Sequence, residues 1–370
     1  MRILHVVSRS QRRGAEIVAV ELAALLDRRG AENRVVALAP GFDGGTVPGL
    51  PALTDRRAGG TIALLVAARA LRRDLRTHPA DVVLAHGGRA LEAVVLTGRR
   101  RPLVVWQRVL GFPASVWRLP RRWWWTRVVR RTDAVACISE ELGAEVRRLG
   151  FAGPVWSIPN SRDPERFATV DRRVARRTLC DRLGIDDRAP LIGWIGHLTA
   201  QKRPDRAVAV LAAVRAVHPE ARLVVAGDGP WRARVEAAVA DAQLGGAVHL
   251  LGPVDDVVPV LGGVDVFLLT SDDEGVPGVL IEALMTGCAV VSGPVGAVPD
   301  MIDDDRTGRL AADTSVTAAA ELVIDLLADP ARARALGDSA RANAIVRWSS
   351  SVIADEYAGQ LAALVRLADD

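Results

Sequence analysis

Two glutamates flank a glycine-containing turn in residues 271–283, and their spacing suggests a site for a phosphorylated ligand. Glu274 directly precedes Gly275, and Glu282 lies within Leu280–Met285, an apolar segment that predicts a helix. Glycine allows the backbone to approach a ligand closely, and a helix start offers unpaired N–H groups and a partial positive charge that bind phosphate. One carboxylate could then meet a group beyond the phosphate and the other a hydroxyl on the near side. This arrangement is the outline of a nucleotide-sugar site.

Lys202 is the only lysine in a chain that also contains 47 arginines. It follows a predicted strand, Leu191–Ile195, and precedes a predicted helix, which is where ligands bind in open α/β sheets. A compact ammonium in so Arg-rich a chain suggests a phosphate partner, with a solvent-exposed loop lysine as the alternative. The glycine-rich turn Gly227–Pro230 also ends a strand in this half of the chain. Such turns are common, so its weight comes from its position beside Lys202 and Glu274.

Two candidate residues lie in the first half of the chain. Gly14, at the first strand–helix turn, could bring backbone N–H groups to a phosphate, although an ordinary tight turn explains it nearly as well. His86 ends the predicted strand Val82–Ala85 and is followed by two glycines. It could hydrogen-bond a sugar hydroxyl or assist proton movement, or it could be a structural histidine.

The elements that would position these residues alternate between strand and helix in both halves of the chain. Short apolar runs at 3–7, 34–38, 82–85, 103–106, 134–138 and 155–158 predict strands in the first half, and the pattern restarts at Leu191. Residues 163–190 are polar and charged, which suggests a linker with helical content, and 318–367 predict helix. Two Rossmann-like α/β domains account for this order of elements.

Charge and composition separate the two halves and exclude several classes of protein. Residues 1–168 carry 28 Arg against 15 acidic residues, whereas residues 169–370 carry 20 basic and 29 acidic residues. This asymmetry favours two domains and a negatively charged partner for the first. The three cysteines are far apart and lack metal-ligand spacing, so no disulfide framework or zinc site is expected. No signal peptide or membrane span is visible, which predicts a cytoplasmic protein.

Residues 117–131 combine arginine and tryptophan more densely than any other stretch. Arg with interfacial Trp suggests docking on an anionic membrane surface, at the inner face of the cell membrane, or on a lipid-linked acceptor. Single-stranded nucleic acid is a weaker interpretation, and a surface helix whose Trp side chains pack inward is the third. The candidate acceptor or membrane contacts are Arg121, Arg122, Trp123, Trp124 and Trp125.

Taken together, these motifs resemble glycosyltransferase family 4, whose members have the two-domain GT-B fold. The matching residues are Gly14–Glu16, Ile158–Asn160, Asp163–Phe167, Gly196 to Lys202, Gly227–Pro230, Glu274 to Ala283 and Thr307-Gly308. The resemblance implies an acceptor-binding domain at 1–168 and a donor-binding domain at 169–345, facing each other across a central cleft. It also implies that a C-terminal helix, 346–370, packs back on the first domain.

The resemblance further implies that the protein is an enzyme that transfers a hexose, with retention, from a UDP or GDP sugar to a hydroxyl acceptor. Peripheral-membrane polysaccharide or glycolipid biosynthesis would be the setting, the nucleotide sugar a co-substrate, and no metal would be required. The catalytic residues would be Glu274, His86 and Lys202. The donor-binding residues would be Gly14, Gly196, His197, Lys202, Gly227, Gly229, Glu274, Gly275, Val276, Pro277, Gly278, Val279 and Glu282.

Departures from the family pattern keep alternatives open. His197 stands where the family usually has Arg, and a free imidazole is mostly neutral at pH 7, which weakens neutralisation of a diphosphate. Arg13 and Ser161 stand at positions where the family usually has glycine, and Ala289 stands where it commonly has proline. A non-catalytic GT-B subunit, or an epimerase or phosphorylase on the same fold, are therefore alternative interpretations.

Overall fold

The chain folds into two compact α/β units, Met1–Asn160 with Ser350–Asp370, and Ser161–Ser349. The structure is a computed structural model that describes residues 1–11, 14–41, 47, 49–55, 60–98, 102–109 and 111–369. Each unit contains a six-stranded sheet in which every paired strand is parallel to its neighbour.

The sheet of the first unit has the strand order β2-β1-β3-β4-β5-β6. Its strands are β1 (Arg2–Arg9), β2 (Glu32–Ala39), β3 (Val82–His86), β4 (Leu103–Arg108), β5 (Ala134–Cys137) and β6 (Val155–Ser157). Its helices along the same stretch are α1 (Gly14–Asp27), α2 (Thr61–Thr77), α3 (Gly88–Leu96), α4 (Arg121–Val129) and α5 (Glu140–Arg148). β3, β4 and β5 are buried throughout, because helices cover both faces of a parallel sheet.

The sheet of the second unit has the order β12-β11-β10-β7-β8-β9. Its strands are β7 (Leu191–Ile195), β8 (Arg222–Ala226), β9 (Val248–Gly252), β10 (Val266–Leu269), β11 (Ala289–Ser292) and β12 (Arg309–Leu310). Its helices are α6 (Pro164–Ala168), α7 (Arg172–Leu183), α8 (Pro204–Arg215), α9 (Arg232–Asp241), α10 (Val258–Gly263), α11 (Gly278–Thr286), α12 (Val298–Met301), α13 (Val316–Ala328) and α14 (Pro330–Trp348).

The polar segment 163–190, predicted as a linker with helical content, does contain the helices α6 and α7, but it is part of the second unit and not a linker. Asp171 begins α7 by accepting hydrogen bonds from two backbone N–H groups of its first turn. Leu179 and Cys180 from that helix, and Phe167 from α6, are buried in the core of this unit. The prediction failed because only a few apolar side chains face the core, while the exposed face of α7 is densely charged.

The C-terminal helix α15 (Ser350–Asp369) belongs to the first unit although it follows the second in sequence. Its residues Ile353, Tyr357 and Leu361 are buried in the same apolar cluster as Ile3 and Leu22. The helical prediction for 318–367 therefore resolves into three helices. The breaks fall at Asp329, which caps α14, and at Ser349.

Candidate functional site

Two loops at the carboxyl ends of neighbouring strands form the centre of the candidate site. β7 and β10 are adjacent and parallel, with Ile192 paired to Val266. The loop after β7 carries Lys202, and the loop after β10 carries Glu274. Because parallel strands end at the same edge of a sheet, these loops meet although the two residues are 72 positions apart.

Glu274 is held by a cation and a hydroxyl. The Lys202 ammonium donates to both carboxylate oxygens, at 2.5 and 2.6 Å, and the Ser271 hydroxyl donates to Oε1 at 2.6 Å. The Glu274 side chain is 5% exposed and that of Lys202 is 27% exposed. Burying a carboxylate is costly unless it is paired and hydrogen-bonded, and Glu274 has both kinds of contact. The only lysine of the chain is thus placed on the candidate catalytic carboxylate.

Thr270, at the end of β10, fixes the backbone that carries Lys202. Its hydroxyl lies 3.0 and 2.8 Å from the carbonyl oxygens of Lys202 and Arg203. The indole N–H of Trp194 donates to the same hydroxyl at 2.8 Å. Arg203 has a left-handed backbone, with φ at 49°, which only a well-determined loop sustains. Because these contacts fix the backbone of the loop, the position of the Lys202 ammonium depends on them as well as on Glu274.

The glycine-containing turn between Glu274 and α11 is supported by a second loop. Gly296 has φ at 50°, and a Cβ there would lie 1.4 Å from the carbonyl oxygen of Glu274. The Ala297 N–H donates to the carbonyl of Gly275 at 3.3 Å. Pro277 precedes α11 in an extended conformation, and its carbonyl accepts hydrogen bonds from the N–H groups of Leu280 and Ile281 at 3.1 and 3.4 Å. In this segment Gly275 is exposed, Pro277 is buried, and Val276, Gly278 and Val279 are partly exposed.

Glu282 lies on α11 one turn after Gly278 and forms an ion pair. The Arg162 guanidinium donates from Nε to its Oε1 at 2.7 Å. The Glu282 side chain is 16% exposed and that of Arg162 is 25% exposed. Both predicted glutamates therefore carry a basic partner within the second unit.

The glycine-rich loops after β7 and β8 pack directly on one another. A Cβ at Gly227 would lie 1.9 Å from the carbonyl oxygen of Gly196, and one at Gly229 would lie 2.5 Å from that of Leu198. Gly227 also has φ at 135°, so glycine is required twice over. His197, between these contacts, is exposed. These glycines allow the two loops to pack closely. Their predicted contact with a diphosphate stays a prediction.

His86, in the first unit, lies inside a buried row of polar side chains that crosses four strands. Its Nε2 is 3.0 Å from Nδ1 of His5, whose Nε2 is 3.0 Å from the Asn33 side-chain oxygen. On its other side, Nδ1 of His86 hydrogen-bonds Gln107. Burial lowers the pKa of His5 to about 4, and burial with the neighbouring His5 lowers the pKa of His86 to about 3.

Two neutral imidazoles provide two N–H groups for these three hydrogen bonds. The third hydrogen must come from the side-chain amide nitrogen of Gln107, which requires the amide to be turned over. Its oxygen is then available to the buried hydroxyl of Tyr357, which otherwise lacks a partner among the described residues. His86 is thus a neutral hydrogen-bonding group near pH 7, and its catalytic role remains a prediction.

Gly14 begins α1, directly after residues 12 and 13, which lie outside the described part of the chain. The backbone N–H groups at this helix start are therefore placed where a phosphate contact was predicted, at the end of β1. The contact itself stays a prediction.

Two family models match the chain, one for each unit. The model described as Glycosyltransferase Family 4 matches residues 12–166, and that described as Glycosyl transferases group 1 matches residues 176–343. The second match contains Lys202, Glu274 and Glu282.

Curated relatives that are named as glycosyltransferases align with part of this chain. The 2-deoxystreptamine glucosyltransferase of Streptomyces kanamyceticus is 32% identical over 58% of this chain and 54% of the relative. A GDP-mannose-dependent alpha-(1-6)-phosphatidylinositol monomannoside mannosyltransferase of Mycolicibacterium smegmatis is 31% identical over 60% of each chain. The alignments thus span little more than half the length of these relatives.

Solved structures match over nearly the whole chain. Anabaena HepE in complex with UDP superposes with a TM-score of 0.81 at 18% identity, covering 98% of this chain and all of that one. Sucrose-phosphate synthase from Thermosynechococcus elongatus gives a TM-score of 0.81 at 20% identity over the full length of both. The chain has the GT-B fold.

In this GT-B chain, the three tryptophans of α4 differ in exposure: Trp124 and Trp125 are partly buried, and Trp123 is exposed. The Trp124 indole donates to Glu92 at 2.8 Å, and the Trp125 ring stacks on Trp106 at 5.8 Å between centroids. Trp123 is 57% exposed, with the Arg127 guanidinium over its ring. The predicted contacts therefore separate into an exposed Trp123 and two rings that pack within the unit. Arg121 and Arg122 are exposed.

No helix within the described ranges is long and apolar enough to cross a membrane.

Four residues around the candidate sites were missed from sequence. Ser271 and Arg162 contact the two predicted glutamates, Gly296 supports the turn between them, and His5 pairs with His86. Ser271 had a local signal, because it starts the stretch that contains Glu274. Gly296 and His5 had none, since a glycine in a loop and a histidine in an apolar strand are both common.

Proposed function

We propose that this protein is a retaining glycosyltransferase that moves a sugar from a nucleoside-diphosphate donor to a hydroxyl acceptor. The observation that carries the proposal is the Lys202–Glu274 pair at the carboxyl ends of β7 and β10, directly before the start of α11. Such an edge of a parallel sheet, next to a helix N-terminus, is suited to a diphosphate.

Each residue has a role in this scheme. Glu274 accepts hydrogen bonds from donor-sugar hydroxyls, and Glu282 from ribose hydroxyls. Lys202 and the N-terminal turn of α11 stabilise the negative charge that develops on the diphosphate, which replaces a metal requirement. In the transfer step, the acceptor oxygen bonds to the anomeric carbon on the same face from which the diphosphate oxygen leaves, so the configuration is kept. The leaving diphosphate then takes the acceptor proton.

The relatives suggest the class of donor and acceptor. Two of them are GDP-mannose-dependent and act on phosphatidylinositol mannosides, and Anabaena HepE was crystallised with UDP. We therefore propose a UDP or GDP sugar as donor, with a sugar, glycolipid or other small hydroxyl compound as acceptor.

A panel of UDP, GDP and ADP sugars tests the donor assignment. We expect one nucleotide class to raise the melting temperature of the protein with EDTA present, and its sugar to be transferred to an acceptor with the anomeric configuration kept. Thermal shift measures the first result and NMR of the product the second. Absence of a shift from every donor would contradict the donor site, and an inverted product would contradict retention.

A membrane setting gives a separate prediction for α4. We expect that removing the exposed Trp123 together with Arg121 and Arg122 lowers binding to anionic liposomes by about thirtyfold or more, because two surface arginines contribute about 1 kcal/mol each near such a membrane. Co-sedimentation with phosphatidylserine-containing vesicles measures the change. Arg72→Ala with Arg73→Ala, an exposed arginine pair on α2, is the charge-matched control. Equal binding of the α4 variant and this control would refute a membrane surface at α4.

A further inference from the structure

Arg162 is the basic partner of Glu282, and its guanidinium is held in place from several sides. Its backbone N–H donates to the carbonyl of Trp348 at 2.9 Å, which ties this loop to the end of α14. Nη1 donates to the carbonyl of Ser161 at 2.9 Å, and Nε donates to Glu282 at 2.7 Å. A long, flexible side chain is thus fixed at both its root and its tip.

The guanidinium also lies against the first turn of α11. A Cβ at Gly278 would come within 2.0 Å of Nη2 of Arg162, so the close approach requires glycine at this helix position. A cation near a helix N-terminus opposes the helix dipole. The arrangement is therefore unfavourable for the helix itself, and its benefit has to come from Glu282 or from a ligand.

Glu282 uses one carboxylate oxygen for this pair. Oε1 accepts from Arg162, while no hydrogen bond from a described side chain or N–H group is found at Oε2. A carboxylate with one oxygen fixed and the other accessible is suited to accept a hydrogen bond from a ligand hydroxyl. Fixing the carboxylate in advance avoids an ordering cost when the ligand binds.

We propose that Arg162 is a positioning residue of the donor site, which fixes Glu282 so that Oε2 accepts a ribose hydroxyl. This inference rests on the proposed function of the same site. Arg162 acts through Glu282 and not on the phosphates, so its contribution depends on the ribose hydroxyls of the ligand.

Titration calorimetry on the full chain tests this dependence with UDP and GDP, and with the 2′,3′-dideoxy form of whichever binds. For Arg162→Ala we expect about tenfold weaker binding of the diphosphate, but an affinity for the dideoxy form within about twofold of the wild-type value. Arg162→Lys should recover part of the loss. In turnover, KM for the donor should rise while kcat changes little.

The matched control is Arg166→Ala, which removes an equal charge from the neighbouring helix α6, where Arg166 pairs with Asp256 at 2.6 Å. It should bind as the wild type does. An equal loss for both forms of the nucleotide in Arg162→Ala would show a phosphate or folding role and overturn the proposal, as would no loss at all. If the wild-type protein binds neither UDP nor GDP, the proposed function itself fails.

Discussion

Replacing Lys202 with alanine should lower kcat for sugar transfer by about 10³-fold, the scale seen when one stabilising group is removed from a developing oxyanion. Two effects combine in this variant. The diphosphate loses a cation, and Glu274, 5% exposed, keeps the Ser271 hydroxyl as its only partner among the described side chains. Steady-state kinetics with the donor that gives the largest thermal shift would measure the loss.

Lys202→Arg separates charge from shape. We expect it to restore little activity, because a larger, planar guanidinium can pair with Glu274 but does not place a compact charge where the Lys202 ammonium would meet the diphosphate. Arg222→Ala, which removes a partly exposed cation of the same unit that pairs with Glu220, should have no effect on turnover. Near-normal turnover in Lys202→Ala, with an unchanged circular dichroism spectrum, would refute the site.

Replacing Glu274 with glutamine in the Lys202→Ala variant should recover part of the stability that Lys202→Ala loses. A buried carboxylate left without its cation is strongly destabilising, whereas a neutral amide at the same position is tolerated. The double variant Lys202→Ala with Glu274→Gln should therefore melt at a higher temperature than Lys202→Ala alone while remaining inactive. A lower melting temperature would mean that Lys202 does not stabilise Glu274 in the fold.

Buried strands were the part of the fold most accessible from sequence. Leu191–Ile195 was predicted with the observed bounds, because a fully covered strand of a parallel sheet reads as a short, continuous apolar run. The apolar run 264–269 also predicts a strand, but the observed strand is shorter, since Val264 is the C-cap of α10 and β10 begins at Val266. Apolar runs show burial, and they do not show where one buried element gives way to the next.

The candidate site was only partly accessible in the same way. Glu274 and Lys202 were found because local patterns place each after a strand, yet their direct pairing is a contact over 72 residues. The Arg162–Glu282 pair spans 120 residues, and nothing near Arg162 distinguishes it from the other 46 arginines. Contacts of this kind follow from strand order, which a single sequence does not specify.

The buried pair His5 and His86 should make the first unit sensitive to acid. Both pKa values lie below that of a free histidine, at about 4 and about 3, so the unfolded chain takes up protons before the folded one does. Their contribution to stability is complete above pH 6.5 and is lost as the pH falls through 4. The loss between pH 6.5 and pH 4 should be on the order of 3 kcal/mol for each of the two histidines, since each pKa unit corresponds to about 1.4 kcal/mol.

Urea unfolding followed from pH 7.5 to pH 4 would measure this term as a difference between variants, so that other titrating groups cancel. His86→Gln retains a neutral hydrogen-bonding side chain beside His5 and Gln107, and it should flatten the pH dependence while lowering stability at pH 7. His78→Gln, an exposed histidine of the same unit, should keep the wild-type slope. If the His86 variant retained that slope as well, the protons would be taken up elsewhere, and the neutral row of imidazoles could not explain the acid sensitivity.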